Sequence, residues 1–85
     1  MAYTVIIKPA AERQLRRLGP EAQRRLRPAI DALSADPRPP GYKKLVGEGD
    51  LYRIRVGDYR IIYTIQDRIL VVEVVKIGHR GNVYG

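Results

Sequence analysis

The sequence predicts an α+β fold of the order β-α-α-β-β-β, in which two N-terminal helices pack on one face of an antiparallel sheet. Apolar residues recur with the helical period of about 3.6 in the first half of the chain, and with the strand period of two in the second half. A chain of 85 residues, of which 45% are hydrophobic and 29% charged, is typical of one folded domain spanning 1–85.

The first half predicts one strand and two helices. Residues 3–8 are rich in β-branched residues, which favours a strand. Pro9 suits the first position of a helix, because the N–H it lacks would have no partner there. Three apolar residues follow at helical spacing: Ala11, Leu15 and Leu18. Gly19 suits the end of that helix, and Pro20 opens a second one. The apolar stripe of the second helix consists of Ala22, Leu26, Ala29, Ile30 and Leu33.

The second half predicts three strands joined by short turns, at residues 51–56, 59–66 and 69–77. Gly57-Asp58 is typical of a two-residue hairpin loop, and Asp67-Arg68 is expected to form the next one. The three strands therefore form an antiparallel meander, and the helices cover one of its faces.

These turns determine which residues lie opposite each other. The first turn pairs Arg55 with Arg60, and the second pairs Tyr63 with Val72. The face toward the helices is then apolar: Tyr52, Ile54, Val56, Tyr59, Ile61, Tyr63, Ile65, Leu70, Val72 and Val74. The other face carries Arg53, Arg55, Arg60, Ile62, Thr64, Val71, Glu73 and Val75.

Three arginines on the uncovered face point to an anion-binding site. Like charges directly opposite each other destabilise a sheet, so packing gives no reason to place Arg55 against Arg60. Arg53 lies two residues along the same face, and Glu73 is the nearby carboxylate. The alternative interpretation is an ordinary solvated surface.

The C-terminal segment adds groups that can handle protons. His79 has the parity of Val75 and Ile77, which predicts that it lies on the side of the arginines, and Tyr84 follows close behind. RNA is cleaved without a metal when its 2′-OH attacks the adjacent phosphorus, which needs a base, an acid and cations for the developing charge. Arginine binds phosphate oxygens bidentately, and histidine titrates near neutrality. The alternative for His79 is a surface residue in a frayed tail.

Composition narrows the possible partners and cofactors. The net charge is +7, which favours a polyanionic partner such as nucleic acid, a ribosome or an acidic protein, although a merely basic protein is the alternative. With no cysteine and one histidine, we expect no disulfide, no metal site and no cofactor. No apolar run approaches the length of a membrane helix, so we expect a cytoplasmic protein without a membrane partner. The helical arginines form a solvated face or dock on ribosomal RNA: Arg13, Arg16, Arg17, Arg24, Arg25 and Arg27.

Several segments together resemble the RelE/ParE toxin superfamily. The first is Lys44-Leu45. The second spans residues 51–63 and consists of Leu-Tyr-Arg-Ile-Arg, a short turn and Tyr-Arg-Ile-Ile-Tyr. The third is the tail, with Gly78-His79-Arg80 and Val83-Tyr84. The resemblance spans the whole chain, and the tail is similar to the RelE branch. It implies a type II toxin that enters the ribosomal A site and cleaves mRNA there without a metal or a small-molecule cofactor. It also implies a RelB-like antitoxin as the partner.

The resemblance implies two sets of site residues. Arg60, Arg80 and Tyr84 match the catalytic residues of the family, and Lys44, Arg53 and Arg55 match its basic phosphate-binding residues. The RelE pattern has lysines at the positions of Arg53 and Arg55, one of which is a candidate base. Arginine does not lose its proton in a protein and cannot be that base. His79 stands where the pattern has a lysine and is the fourth candidate catalytic residue.

Two other functions share this pattern. A ParE-like poison of gyrase has the same fold but is a binding protein rather than a nuclease, and a plain RNA-binding module is the third possibility. The joint presence of Arg60, Arg80 and Tyr84 favours the RelE interpretation.

Overall fold

The computed structural model describes residues 2–47 and 49–79, which form two helices and a five-stranded sheet. In chain order the elements are β1 (Thr4–Ile7), α1 (Pro9–Arg16), α2 (Pro20–Ala32), β2 (Lys43–Lys44), β3 (Leu51–Val56), β4 (Tyr59–Gln66) and β5 (Val71–His79). The predicted α+β fold with two helices ahead of the meander is confirmed. No helix in the described part of the chain is long and apolar enough to cross a membrane.

The sheet is mixed rather than wholly antiparallel, with the strand order β1-β5-β4-β3-β2. β1 pairs in parallel with β5, from Thr4 opposite Val71 to Ile7 opposite Val74. The two-residue strand β2, which the sequence analysis missed, pairs with β3 through Lys43 opposite Arg53 and Lys44 opposite Tyr52. Because β2 is so short and charged, it carries almost none of the alternation that reveals a strand.

Both helices begin at a proline, as expected, with Pro9 and Pro20 in the first turn. The second helix continues through Pro28. The helices cover one face of the sheet, and the core between them contains Ala11, Leu15, Leu26, Ile30, Leu33, Ile54, Ile61, Tyr63, Val72, Val74 and Ile77. The Tyr63 hydroxyl donates a hydrogen bond of 2.7 Å to the carbonyl of Pro37, so the proline-rich segment after α2 is tied to the core.

The hairpin of β3 and β4 has the predicted register. Val56 lies opposite Tyr59, Arg55 opposite Arg60, Ile54 opposite Ile61 and Tyr52 opposite Tyr63. Gly57 has a φ of 60° in the two-residue turn, a conformation that glycine adopts at little cost.

The second hairpin differs from the prediction in two ways. The turn spans residues 67–70 and β5 begins at Val71, so Tyr63 lies opposite Val74 and not Val72. Leu70 has a positive φ of 54°, and it leaves the strand for the turn. The pairing of β5 with β4 is thus shifted by two residues relative to the prediction. Because a shift by two keeps the alternation of side chains, Val72 and Val74 still face the core, as predicted.

A β-bulge then changes the face of the rest of β5. Ile62 lies opposite Lys76 while Tyr63 lies opposite Val74, which leaves Val75 as the extra residue. Beyond it Ile77 is 3% exposed and in the core, and its N–H donates a 2.8 Å hydrogen bond to Oε1 of Gln14 on α1. The side chain of Gln14 thus takes the place of β1, whose pairing with β5 ends at Ile7.

Candidate functional site

The sheet face opposite the helices, which we call the arginine face, presents Arg53, Arg55 and Arg60. Arg55 and Arg60 are directly opposite each other on β3 and β4, so their side chains leave the same face next to the hairpin turn. Gly78 lies opposite Arg60 on β5 and has no side chain. Arg55 is exposed and Arg60 is half-buried. The predicted pair of like charges is therefore present.

Arg53 is much less accessible than the sequence suggests. It is 4% exposed, and Ile62, directly opposite on β4, is 3% exposed. The Nε atom of Arg53 is buried without a hydrogen-bond partner. Burying an N–H group without an acceptor costs free energy, so Arg53 differs from an ordinary solvated surface arginine.

The two lysines of β2 lie on different faces. Lys43 is opposite Arg53 and extends the arginine face, whereas Lys44 has the parity of Tyr52 on the other face. Lys44 is exposed, with its Nζ 3.9 Å from Oδ1 of Asp50. The sequence analysis chose Lys44 and missed Lys43, because their parity is visible only when β2 is recognised as a strand.

The bulge in β5 exchanges two basic residues between faces. Lys76, opposite Ile62, joins the arginine face. His79 is opposite Tyr59, and its ring lies edge-on to the Tyr59 ring with centroids 4.5 Å apart. The prediction that His79 lies on the side of the arginines is wrong, because the extra residue reverses the alternation of side chains. Arg80 and Tyr84 lie outside the described residues.

Two described carboxylates belong to the arginine face and its hairpin turn, Glu73 on β5 and Asp58 beside Arg55 and Arg60. Glu73, the carboxylate expected there, lies opposite Thr64 and accepts a 3.2 Å hydrogen bond from Nε2 of Gln66. It is therefore engaged away from the Arg55–Arg60 pair. In the part of the chain that the structure describes, no group of three or more His, Cys, Asp or Glu residues could hold a metal ion.

The carboxylates that do form ion pairs lie elsewhere. Glu12 on α1 accepts from Nε of Arg16 at 2.7 Å and from Nη2 of Arg27 at 3.2 Å, which lowers the pKa of its carboxyl. At the β4–β5 turn, Arg38 binds both oxygens of Asp67 at 3.2 and 2.9 Å, and the Tyr3 hydroxyl donates to Asp67 at 2.6 Å. The hydrogen bond from Arg38, and then that from Tyr3, lower the pKa of Asp67 to about 2. The first cluster joins α1 to α2, and the second joins Tyr3 and the segment after α2 to the β4–β5 turn.

Comparison with known proteins identifies the family. Residues 5–84 match the family described as ParE toxin of type II toxin-antitoxin system. The chain is 29% identical over 89 residues to RelE1 of Methanocaldococcus jannaschii, covering 99% of this chain and 97% of that protein.

Solved structures agree with this assignment. The RelE–RelB complex of Pyrococcus horikoshii contains a chain that is 35% identical, with a TM-score of 0.83 and coverage of 98% of this chain and 100% of that one. The RelBE2 toxin–antitoxin complex of Mycobacterium tuberculosis gives 30% identity, a TM-score of 0.80 and coverage of 94% and 100%. The sheet, the helix pair and these likenesses lead to one conclusion: the chain belongs to the RelE/ParE superfamily and is a toxin of a type II toxin–antitoxin system.

Proposed function

We propose that this toxin is a ribosome-dependent endoribonuclease that cleaves mRNA in the A site and so inhibits translation. The observation that carries the proposal is the pair of directly opposed arginines, Arg55 and Arg60, on the sheet face away from the helices. Such a pair weakens the sheet, and a phosphate between the two guanidiniums reverses the sign of their interaction.

The proposed reaction is attack by the 2′-OH of one nucleotide on the neighbouring phosphorus, with departure of the 5′-oxygen. Arg60 and Arg80 stabilise the negative charge that develops on the phosphoryl oxygens, as preorganised cations do. Arg53, Arg55 and Lys43, which share the arginine face, hold the adjacent backbone. No metal takes part in this proposal, because the guanidiniums supply the positive charge.

Tyr84 is the proton-handling group in this proposal, ahead of His79. Both side chains were candidates, but His79 packs on Tyr59 across the sheet from the arginines. Tyr84 matches the RelE motif and offers a hydroxyl that can donate to the leaving oxygen. Arginine remains protonated and cannot take the proton of the 2′-OH. In this proposal that proton passes to solvent water as the 2′-oxygen bonds to phosphorus, while the Tyr84 hydroxyl gives its proton to the departing 5′-oxygen, which leaves a 2′,3′-cyclic phosphate.

In this proposal the ribosome positions the RNA for cleavage. Orientation of reacting groups is worth up to about 7–11 kcal/mol of the barrier, and a small open sheet face offers few contacts to a flexible strand. We therefore expect free toxin to cut naked single-stranded RNA poorly. The partner that neutralises the toxin is in this proposal a RelB-like antitoxin, since similar chains occur in complexes with RelB.

Primer extension on mRNA in a translating extract tests the proposal. We expect codon-phased cuts with the wild-type toxin, and their loss with Arg60→Gln. Arg68→Gln is the matched control, because Arg68 is an exposed arginine at the β4–β5 turn, remote from the hairpin of Arg55 and Arg60. Codon-phased cutting by Arg60→Gln at the level of Arg68→Gln would contradict the proposal. Fast cleavage of naked RNA by purified toxin would contradict it as well.

A ParE-like gyrase poison is the second candidate, and the matching family description favours it. A poison needs no set of cleavage residues, so its mRNA stays intact in the same extract. Trapped gyrase–DNA complexes together with intact mRNA would establish this alternative and exclude the nuclease.

A further inference from the structure

One arginine of α2 reaches across to the hairpin that carries Arg55 and Arg60. A Cβ atom placed on Gly57 would lie 3.0 Å from Nη2, 3.3 Å from Cζ and 3.3 Å from Nη1 of Arg25. The guanidinium therefore lies against the hairpin turn, in the space that a side chain at position 57 would fill. Gly57 suits the turn because of its φ of 60°, and a side chain at this position would require the Arg25 guanidinium to move by a few tenths of an ångström.

The donors of this guanidinium are available to a ligand. Arg25 is exposed, and it makes no hydrogen bond or ion pair with another described residue. By contrast, Arg27 of the same helix is engaged with Glu12 and Gln23. An arginine held by packing against a turn, with its N–H groups unused, loses little side-chain entropy when it binds an anion.

The position of Arg25 continues the cationic surface around the tip of the hairpin. Arg55 precedes Gly57 by two residues, so its Cα lies within about 7 Å of the Cα of Gly57 along the chain. The side chains of Arg55 and Arg60 lie on the arginine face, and Arg25 approaches the hairpin tip from α2. The backbone of Arg55 and Arg60 and the guanidinium of Arg25 thus lie close to one turn of two residues, Gly57 and Asp58.

We propose that Arg25 is a further RNA-binding residue, which contacts a backbone phosphate next to the one held by Arg55 and Arg60. The inference rests on the proposed nuclease function and adds to it the path of the RNA strand, which leaves the arginine face by passing the hairpin tip. Since Arg25 does not reach the reacting phosphate, it contributes to binding and not to the chemical step.

The test measures binding of a 2′-O-methylated single-stranded RNA oligonucleotide by Arg25→Gln, at several salt concentrations. Loss of one phosphate contact on a single strand reduces the magnitude of the slope of log affinity against log salt by about 0.7. Between roughly 50 and 200 mM salt, the affinity of Arg25→Gln should therefore fall by a factor about 2.5 times smaller than that of the wild type. Arg24→Gln is the control, because it removes the same charge from the neighbouring exposed position.

Arg60→Gln tests the RNA site itself, whereas Arg25→Gln tests the additional contact at the hairpin tip. A smaller slope in Arg60→Gln and Arg25→Gln, with Arg24→Gln unchanged, is the expected result. If only Arg60→Gln lowers the slope, the role of Arg25 is wrong and the site stands. If none of the three lowers it, the RNA site itself is wrong. A change that appears only in antitoxin affinity would assign Arg25 to the protein partner and overturn its role in RNA binding.

Discussion

Arg55 shows how a residue can be unfavourable for the fold and suited to function. Replacing it with glutamine removes the repulsion across the β3–β4 pair while keeping a long polar side chain. We expect Arg55→Gln to raise the free energy of unfolding by about 0.2–1 kcal/mol, the usual range for a cross-strand pair. Urea unfolding of Arg55→Gln beside Arg68→Gln measures the effect, and RNA binding of the same protein should weaken. Lower stability in Arg55→Gln than in the control would mean that the pair is not strained.

The proton-handling role can be divided between Tyr84 and His79. Because His79 packs edge-on against Tyr59, away from the arginine face, His79→Ala should cleave within a few-fold of the wild-type rate with an unchanged pH profile. Tyr84→Phe keeps the ring and removes the hydroxyl, so a fall in rate, in the range of about 100- to 10,000-fold for general acid catalysis, identifies proton donation. Single-turnover cleavage on programmed ribosomes measures both. Full activity in Tyr84→Phe would leave that ring as a stacking platform.

At the scale of elements, the bulged end of β5 depends on α1. The Oε1 atom of Gln14 accepts from the N–H of Ile77 where β1 has ended. Gln14→Ala leaves that amide without its partner, at a cost of about 1–3 kcal/mol if it stays buried. Hydrogen exchange at the Ile77 amide should speed up in Gln14→Ala and stay slow in Gln14→Glu, which keeps the acceptor oxygen. Equal protection in all three proteins would show that the contact does not hold the strand.

The β4–β5 turn is held by charge, and its contribution depends on pH. The pKa of Asp67 falls from 3.8 to about 2 on folding, because Arg38 and Tyr3 hydrogen-bond to its carboxylate. A depressed folded pKa contributes stability that is present above the unfolded pKa and lost as the pH falls toward the folded one. Urea midpoints should therefore drop between about pH 5 and pH 2 in the wild type. The urea midpoint of Asp67→Asn should fall less than that of the wild type over this pH range. The midpoint of the control Asp31→Asn, at an exposed position of α2, should fall as much as that of the wild type.

The two hairpins explain which parts of the fold and site the sequence predicts. Glycine at the first turn determines a two-residue loop, so local chemistry alone pairs Arg55 with Arg60. The second hairpin depends on a turn held by Arg38 from a distant segment, and on a bulge whose amide is satisfied by Gln14. Neither contact leaves a periodic signal, which is why the sides of Lys76 and His79 could not be predicted from alternation.

At the scale of the whole molecule, folding leaves the surplus of positive charge unevenly distributed. The chain carries a net charge of +7, and Glu12, Asp50 and Asp67 form ion pairs with Arg16, Arg27, Lys44 and Arg38. Among the described residues, exposed arginines lie both at the hairpin, with Arg55, and on the helices, with Arg13, Arg17, Arg24 and Arg25. A basic surface of this kind attracts polyanions over a distance of about a Debye length, roughly 8 Å at physiological salt.

The same distribution predicts how an antitoxin neutralises the toxin. A protein segment that buries several guanidiniums must bring carboxylates or other acceptors to them, since an uncompensated buried charge is costly. We expect the inhibitory segment to be acidic and to cover the arginine face, so that the antitoxin and the RNA compete for Arg55 and Arg60. In the double variant Arg55→Gln, Arg60→Gln, the segment loses both partners, and its affinity should fall by about 2–5 kcal/mol for each pair that is buried and hydrogen-bonded.

Titration of the antitoxin against the double variant and against Arg68→Gln measures this effect, with dissociation rates as the sensitive quantity, because loss of a buried charge pair acts mainly on dissociation. Equal affinity for both variants would show that the antitoxin leaves the arginines open and acts by bulk, preventing entry into the ribosome. Competition by a single-stranded RNA oligonucleotide then separates the two routes: it displaces an antitoxin that covers Arg55 and Arg60, and it leaves in place one that is bound elsewhere.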